Sequence, residues 1–174
     1  MEENLSMAGL PERKHPRLKE YDYSRNGCYF VTINTEENLP ILSVVGRGLA
    51  PAEPVAPVLT DLGIIAQQQL FELEERYSFV RIDRYVIMPT HIHAIIVLSD
   101  PHDTAGASPR PTLMDIICTY KSLTTRLCNR HDGTPGRKLF QTSFYDHIIR
   151  SEQAYCEICQ YIDSNPAKWL EQKP

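Results

Sequence analysis

The chain has 174 residues, 42% of them hydrophobic, and carries a formal net charge of −4 with a pI near 5.9. That length suits one domain with its own core, and the apolar content excludes an intrinsically disordered chain. No apolar run is long enough to cross a bilayer, and a net-acidic molecule is not a general seeker of polyanions. The start, Met1-Glu2-Glu3-Asn4, is acidic and lacks the basic-then-apolar order of a signal peptide, so the chain reads as cytoplasmic, with no membrane partner. Its cysteines, Cys28, Cys118, Cys128, Cys156 and Cys159, are scattered and odd in number, which fits reduced thiols. Cys156-x-x-Cys159 has no second ligand pair nearby and reads as packing rather than a zinc site.

Residues 1–20 read as an irregular basic arm containing Arg13, Lys14, Arg17 and Lys19, and residues 21–174 as a single domain. Cys28 to Ile33 is aromatic and β-branched, a strand, and the short apolar piece Ile41–Val45 is expected to pair with it. Gly46 to Pro57 reads as a surface loop. Thr60-Asp61 opens a helix, with a capping hydroxyl, an acid in the first turn, and a stripe of Leu62, Ala66, Leu70, Leu73 and Tyr77. Val80 to Met88 is strand-like, Pro89-Thr90 makes a tight connection, and His91 to Leu98 is a second strand. A loop from Ser99 to Pro111 precedes a helix beginning at Thr112, with Leu113, Ile116, Ile117, Tyr120, Leu123 and Leu127 on one face. Phe140 to Ile149 is the next strand candidate. Ser151 caps a final helix expected to fail near Asn165, because Pro166 disfavours helical geometry in the residue before it.

The order strand–helix–strand–strand–helix–strand, then one more helix, predicts an α+β fold. It is a ferredoxin-like or RRM-like antiparallel sheet with two helices on one face and a C-terminal helix carrying Tyr161. Positive charge gathers from Arg110 to Arg150, at Arg110, Lys121, Arg126, Arg130, Arg137, Lys138 and Arg150, a track that can follow a phosphate backbone despite the acidic total.

Two residue sets carry chemistry. His91 and His93 are one strand repeat apart, so their imidazoles share a face at a strand end, where they can grip one divalent cation. In the last helix Tyr155, Ile158, Cys159 and Ile162 form the core-facing stripe, while Tyr161 lies off it, one turn before Asn165. An amide oxygen suits Mg²⁺ or Mn²⁺, and a phenol beside such a cation is a nucleophile for phosphorus. The plainer alternatives are a histidine pair satisfied by hydrogen bonds and a half-buried helix tyrosine.

Taken in order, several segments resemble the single-tyrosine HUH transposases, most closely the REP-associated tyrosine transposases. They are Tyr21-Asp22-Tyr23, Tyr29-Phe30-Val31-Thr32, Tyr85 through His93, Tyr120 through Thr124, Phe144 through Arg150, and Tyr161 through Trp169. The resemblance implies that His91 and His93 bind metal, that Tyr161 is the nucleophile and that Asn165 is the third ligand. It implies Mg²⁺ or Mn²⁺ as cofactor, single-stranded or hairpin DNA as partner, and cleavage and rejoining of DNA through a 5′-phosphotyrosine link. Arg13, Lys14, Arg17, Lys19, Lys121 and Arg150 are then the candidate DNA contacts, and both monomer and homodimer stay open. Two positions depart from the family pattern: Thr90 stands where Asn is common, and Phe140 where Trp is usual. Two other readings compete, a domesticated hairpin-DNA-binding protein without transposition activity and a metal-dependent hydrolase of small phosphodiesters.

Overall fold

The aromatic and β-branched run beginning at Gly27 forms strand β1, Gly27–Asn34, and takes an interior place in the sheet. In this computed structural model residues 21–46, 55–100 and 110–171 are described. The predicted basic arm, with Arg13, Lys14, Arg17 and Lys19, lies outside them, as does most of both predicted loops. After β1 come β2 (Ser43–Val45), β3 (Pro57–Leu59), α1 (Asp61–Arg76), β4 (Val80–Ile87), β5 (His91–Leu98), α2 (Leu113–Asp132), β6 (Tyr145–Ile149) and α3 (Glu152–Glu171). The main sheet has the order β4-β5-β1-β6, with every neighbouring pair antiparallel. The expected α+β, ferredoxin-like arrangement is present.

Alternation along the strands divides the apolar residues between two layers. Tyr29, Val31, Ile33, Ile92, Ala94 and Ile96 point to the face covered by α1 and α2 and are fully buried there. Phe30, Val86, Met88 and Ile95 point to the opposite face, where Ile158 and Ile162 of α3 cover them. The entry to α1 is tightly fixed. Thr60 caps it by accepting from the Gly63 amide and donating to the carbonyls of Ile41 and Leu42. A Cβ at Gly63 would stand 1.9 Å from the Leu42 carbonyl oxygen, so only glycine lets the helix approach this closely.

Four expectations need correction. The Ile41–Val45 segment pairs through β2 with β3 rather than with β1, because β5 and β6 already occupy both edges of β1. The strand expected from Phe140 begins only at Tyr145; Phe140 instead makes an isolated bridge to Thr35 and buries its ring. On α2 the buried face turns through Thr124 and Cys128, leaving Leu123 and Leu127 half-buried.

The fourth concerns α3, which runs straight through Pro166 to Glu171. A proline inside a helix removes one N–H and costs about 3 kcal/mol. Here Ile162, Asn165 and Pro166 are buried and Trp169 and Leu170 pack on the second apolar layer, so tertiary burial outweighs local propensity.

Candidate active site

Strand β5 leaves the turn at Pro89-Thr90 and begins at once with His91, which places both histidines at the end of the sheet. The turn is held by neighbouring backbone: the amides of Thr35 and Leu42 donate to the carbonyls of Thr90 and Pro89 at 2.9 and 3.1 Å. His91 and His93 project toward α3 with ring centroids 4.5 Å apart. Phe30 stacks on His93 at 5.3 Å, walling the pair from below. His93 is only 3% exposed.

Helix α3 is seated by polar ties to β4. A bulge in the β4–β5 register at Ile82/Arg84 shifts the phase of the strand, so that consecutive residues Asp83 and Arg84 both serve α3. The Tyr155 hydroxyl donates to Asp83, and Arg84 Nη1 donates to both oxygens of Asp163 at 2.8 and 2.6 Å. So anchored, the helix brings Tyr161 Oη to 3.4 Å from His93 Nε2, and Asn165 Oδ1 to 3.4 Å from His91 Nε2. Four predicted site residues, His91, His93, Tyr161 and Asn165, therefore meet within one chain.

Burial lowers the pKa of His91, an effect partly offset by its bond to Asn165, and lowers that of His93 further, with the neighbouring His91 adding to it. Both rings are thus neutral at pH 7, the form that ligates metals. Burial raises the Tyr161 phenol, against a smaller lowering by Asn165, so the hydroxyl rests protonated.

No family model matches the chain. An uncharacterised protein of Haemophilus influenzae is 28% identical over 178 residues, covering 93% of this chain and 92% of that protein. A solved structure of a REP-associated tyrosine transposase bound to a REP hairpin aligns with 87% of this chain and 74% of its own, with TM-score 0.56 and 21% identity. The chain shares that transposase fold. The resemblance read from the sequence therefore holds at the level of architecture.

Within this fold, no group of three or more His, Cys, Asp or Glu side chains converges among the described residues. A cation at this place would rest on two imidazole nitrogens and one amide oxygen, leaving its other positions to water and phosphate. That donor set fits Mn²⁺ or Mg²⁺, which bind with few protein ligands when a phosphate supplies the rest.

The DNA-contact candidates within the described residues fall in different places. Lys121 Nζ donates to the carbonyls of Gln141 and Thr142 at 2.5 and 2.8 Å, and with Arg126, Arg130 and Lys138 it lines a groove of about 800 Å³. The groove reaches the histidine end of the sheet. Gln141 N donates to Asn34 O, and Thr35 N to Thr90 O, so one strand width separates its rim from the turn before His91. Arg150 is exposed just beyond Ile149, which pairs with Cys28 at the other end of the sheet. Tyr23 and Phe144 are buried and pack in the core, as does half-buried Tyr21, rather than offering faces for base stacking.

Reading by sequence missed Thr32, Phe30, Lys168 and Trp169. Thr32 reaches His93 only through the β1–β5 register, which no local pattern reveals. Lys168 Nζ lies 5.4 Å from the Tyr161 ring centroid and the Trp169 ring 6.1 Å from that of His91. Both depend on α3 continuing past Pro166, where a proline-based boundary had ended it.

Proposed function

We propose that this protein nicks and rejoins single-stranded DNA by metal-dependent transesterification on Tyr161, acting beside a hairpin. The observation that carries this reading is the approach of the Tyr161 phenol and the Asn165 amide to the Nε2 atoms of His91 and His93. In the proposed step Tyr161 Oη attacks the phosphorus of a phosphodiester in line with the leaving 3′-oxygen. The P–Oη bond forms, the P–O3′ bond breaks, and the phenol's proton ends, through solvent, on the released 3′-hydroxyl. The 5′-phosphotyrosine ester keeps the energy of the broken linkage, so a free 3′-hydroxyl reverses the step without ATP. A divalent cation held by His91, His93 and Asn165 would supply charge stabilisation at the phosphoryl oxygens.

The chain's own groups do the rest. Asn165, one turn beyond Tyr161 on α3, acts against the burial that raises the phenol and so eases departure of its proton. Phe30 excludes water from behind His93, and Lys168 offers a cation beside the phenol ring. Lys121, Arg126, Arg130 and Lys138 provide a basic groove leading to the strand end, where a DNA stem can be held by its phosphates. The segment 1–20, with Arg13, Lys14, Arg17 and Lys19, would add further phosphate contacts to the domain formed by residues 21–174.

The hairpin-bound transposase of the same fold supports DNA of this shape as the partner. The test is incubation with a 5′-tailed DNA hairpin and Mn²⁺, followed by denaturing electrophoresis. A covalent protein–DNA species is expected with the natural chain and not with Tyr161→Phe. An adduct that persists in Tyr161→Phe would contradict the assignment, and hairpin binding without cleavage in any divalent metal would favour a binding-only role.

A further inference from the structure

Both catalytic-face imidazoles are held from behind by a threonine. His93 Nδ1 lies 2.9 Å from Thr32 Oγ1, and His91 Nδ1 lies 3.0 Å from Thr90 Oγ1. The two threonines come from different elements, β1 and the β4–β5 turn. Their hydroxyls face Nδ1, while both Nε2 atoms face α3.

The donor and acceptor roles can be followed from one end to the other. Asn165 Oδ1 can only accept, so the His91 Nε2 beside it carries a proton, and His91 Nδ1 must accept from the Thr90 hydroxyl. With the Tyr161 phenol donating to His93 Nε2, the His93 proton lies on Nδ1 and is donated to Thr32 Oγ1. With these roles the two histidines are opposite tautomers in the metal-free protein.

We propose that Thr32 and Thr90 are positioning residues that set which nitrogen of each imidazole is open: Thr32 holds His93 ready to ligate through Nε2, whereas Thr90 supports His91 in either tautomer. The second half rests on the metal-site reading above. For His91 to ligate through Nε2, its proton must sit on Nδ1, and the Thr90 hydroxyl must turn from donor to acceptor. Rotation about one bond accomplishes that, and the ring keeps a single proton throughout. A hydroxyl also brings no charge, unlike the carboxylate that often supports a metal-bound histidine, so it leaves the cation's full positive charge to attract a phosphodiester.

The test is long-range ¹H–¹⁵N correlation NMR on the full chain with ¹⁵N-labelled histidine, metal-free and with diamagnetic Mg²⁺, alongside calorimetric Mg²⁺ titration. The metal-free spectrum should show His93 protonated on Nδ1 and His91 on Nε2, and Mg²⁺ should move His91 to the Nδ1 form. Thr32→Val should release His93 into a tautomer mixture. Thr90→Val should weaken Mg²⁺ binding about tenfold or more, and Thr90→Ser should restore it. Finding His93 protonated on Nε2 in the metal-free natural chain, or Mg²⁺ bound equally well by Thr90→Val, would overturn the proposal. If the metal-free tautomers are as stated but Mg²⁺ shifts neither ring, the tie from Thr32 is supported and the metal reading is what fails.

Discussion

On the face covered by α1 and α2, strands β1 and β5 present Tyr29, Val31, Ile33, Ile92, Ala94 and Ile96, all fully buried in an apolar layer. On the face covered by α3, the same two strands present Phe30, Thr32, His91 and His93, and each imidazole has a polar partner on both of its nitrogens. The strands are shared and the backbone is continuous, so the difference lies only in the alternate side chains. One face can be tuned for cohesion while the other carries ionisable groups. A single helix, tied by Asp83 and Arg84, completes the polar face without disturbing the first.

The sharpest way to break this contrast is a pair of truncations three residues apart on β5. His93→Ala should abolish adduct formation while thermal unfolding shows a loss much smaller than that of a core truncation. Ile96→Ala, on the α1–α2 face, should cost about 2–5 kcal/mol in denaturant unfolding. Equal destabilisation by the two would mean that the faces are not divided as described.

Stability should also depend on pH through the α3 face. Burial lowers both imidazole pKa values below the ordinary 6.5, so the unfolded chain binds protons first as pH falls. The contribution is full above about pH 6.5 and is lost as pH drops from there through the folded-state values. Denaturant midpoints measured across that range should decline, and the decline should be shallower in a His91→Gln/His93→Gln double variant.

The smallest expected effect is at the groove beside α2. Arg126→Ala and Arg130→Ala should each make the log–log salt dependence of hairpin binding shallower by up to about one unit, as phosphate contacts are lost. A slope that stays unchanged in the double variant would move the DNA path elsewhere.

Much of this was legible in the chain. The aromatic and β-branched run Cys28–Ile33 and the apolar run to Leu98 marked β1 and β5, and the His-x-His spacing put both imidazoles on one face. The helix start at Thr60 followed from capping chemistry and that at Thr112 from the apolar face behind it, and in the structure both threonines are caps. What local pattern could not supply was tertiary. Pro166 carries a strong stop signal that is overridden by the burial of Ile162, Asn165 and Pro166 itself and by the packing of Trp169 and Leu170. The pairing of β2 with β3 depends on which strand edges are already taken. Thr90 stood out as a departure from the family pattern, yet its role behind His91 needs the turn geometry, and Thr32 behind His93 needs the register.

The most direct measurement is mass-spectrometric mapping of the protein–DNA adduct after nuclease and protease digestion. The account predicts a nucleotide phosphate on the peptide containing Tyr161, attached at that phenol and requiring Mn²⁺ or Mg²⁺. A modification at any other residue, or cleaved DNA with no protein-linked nucleotide, would contradict it.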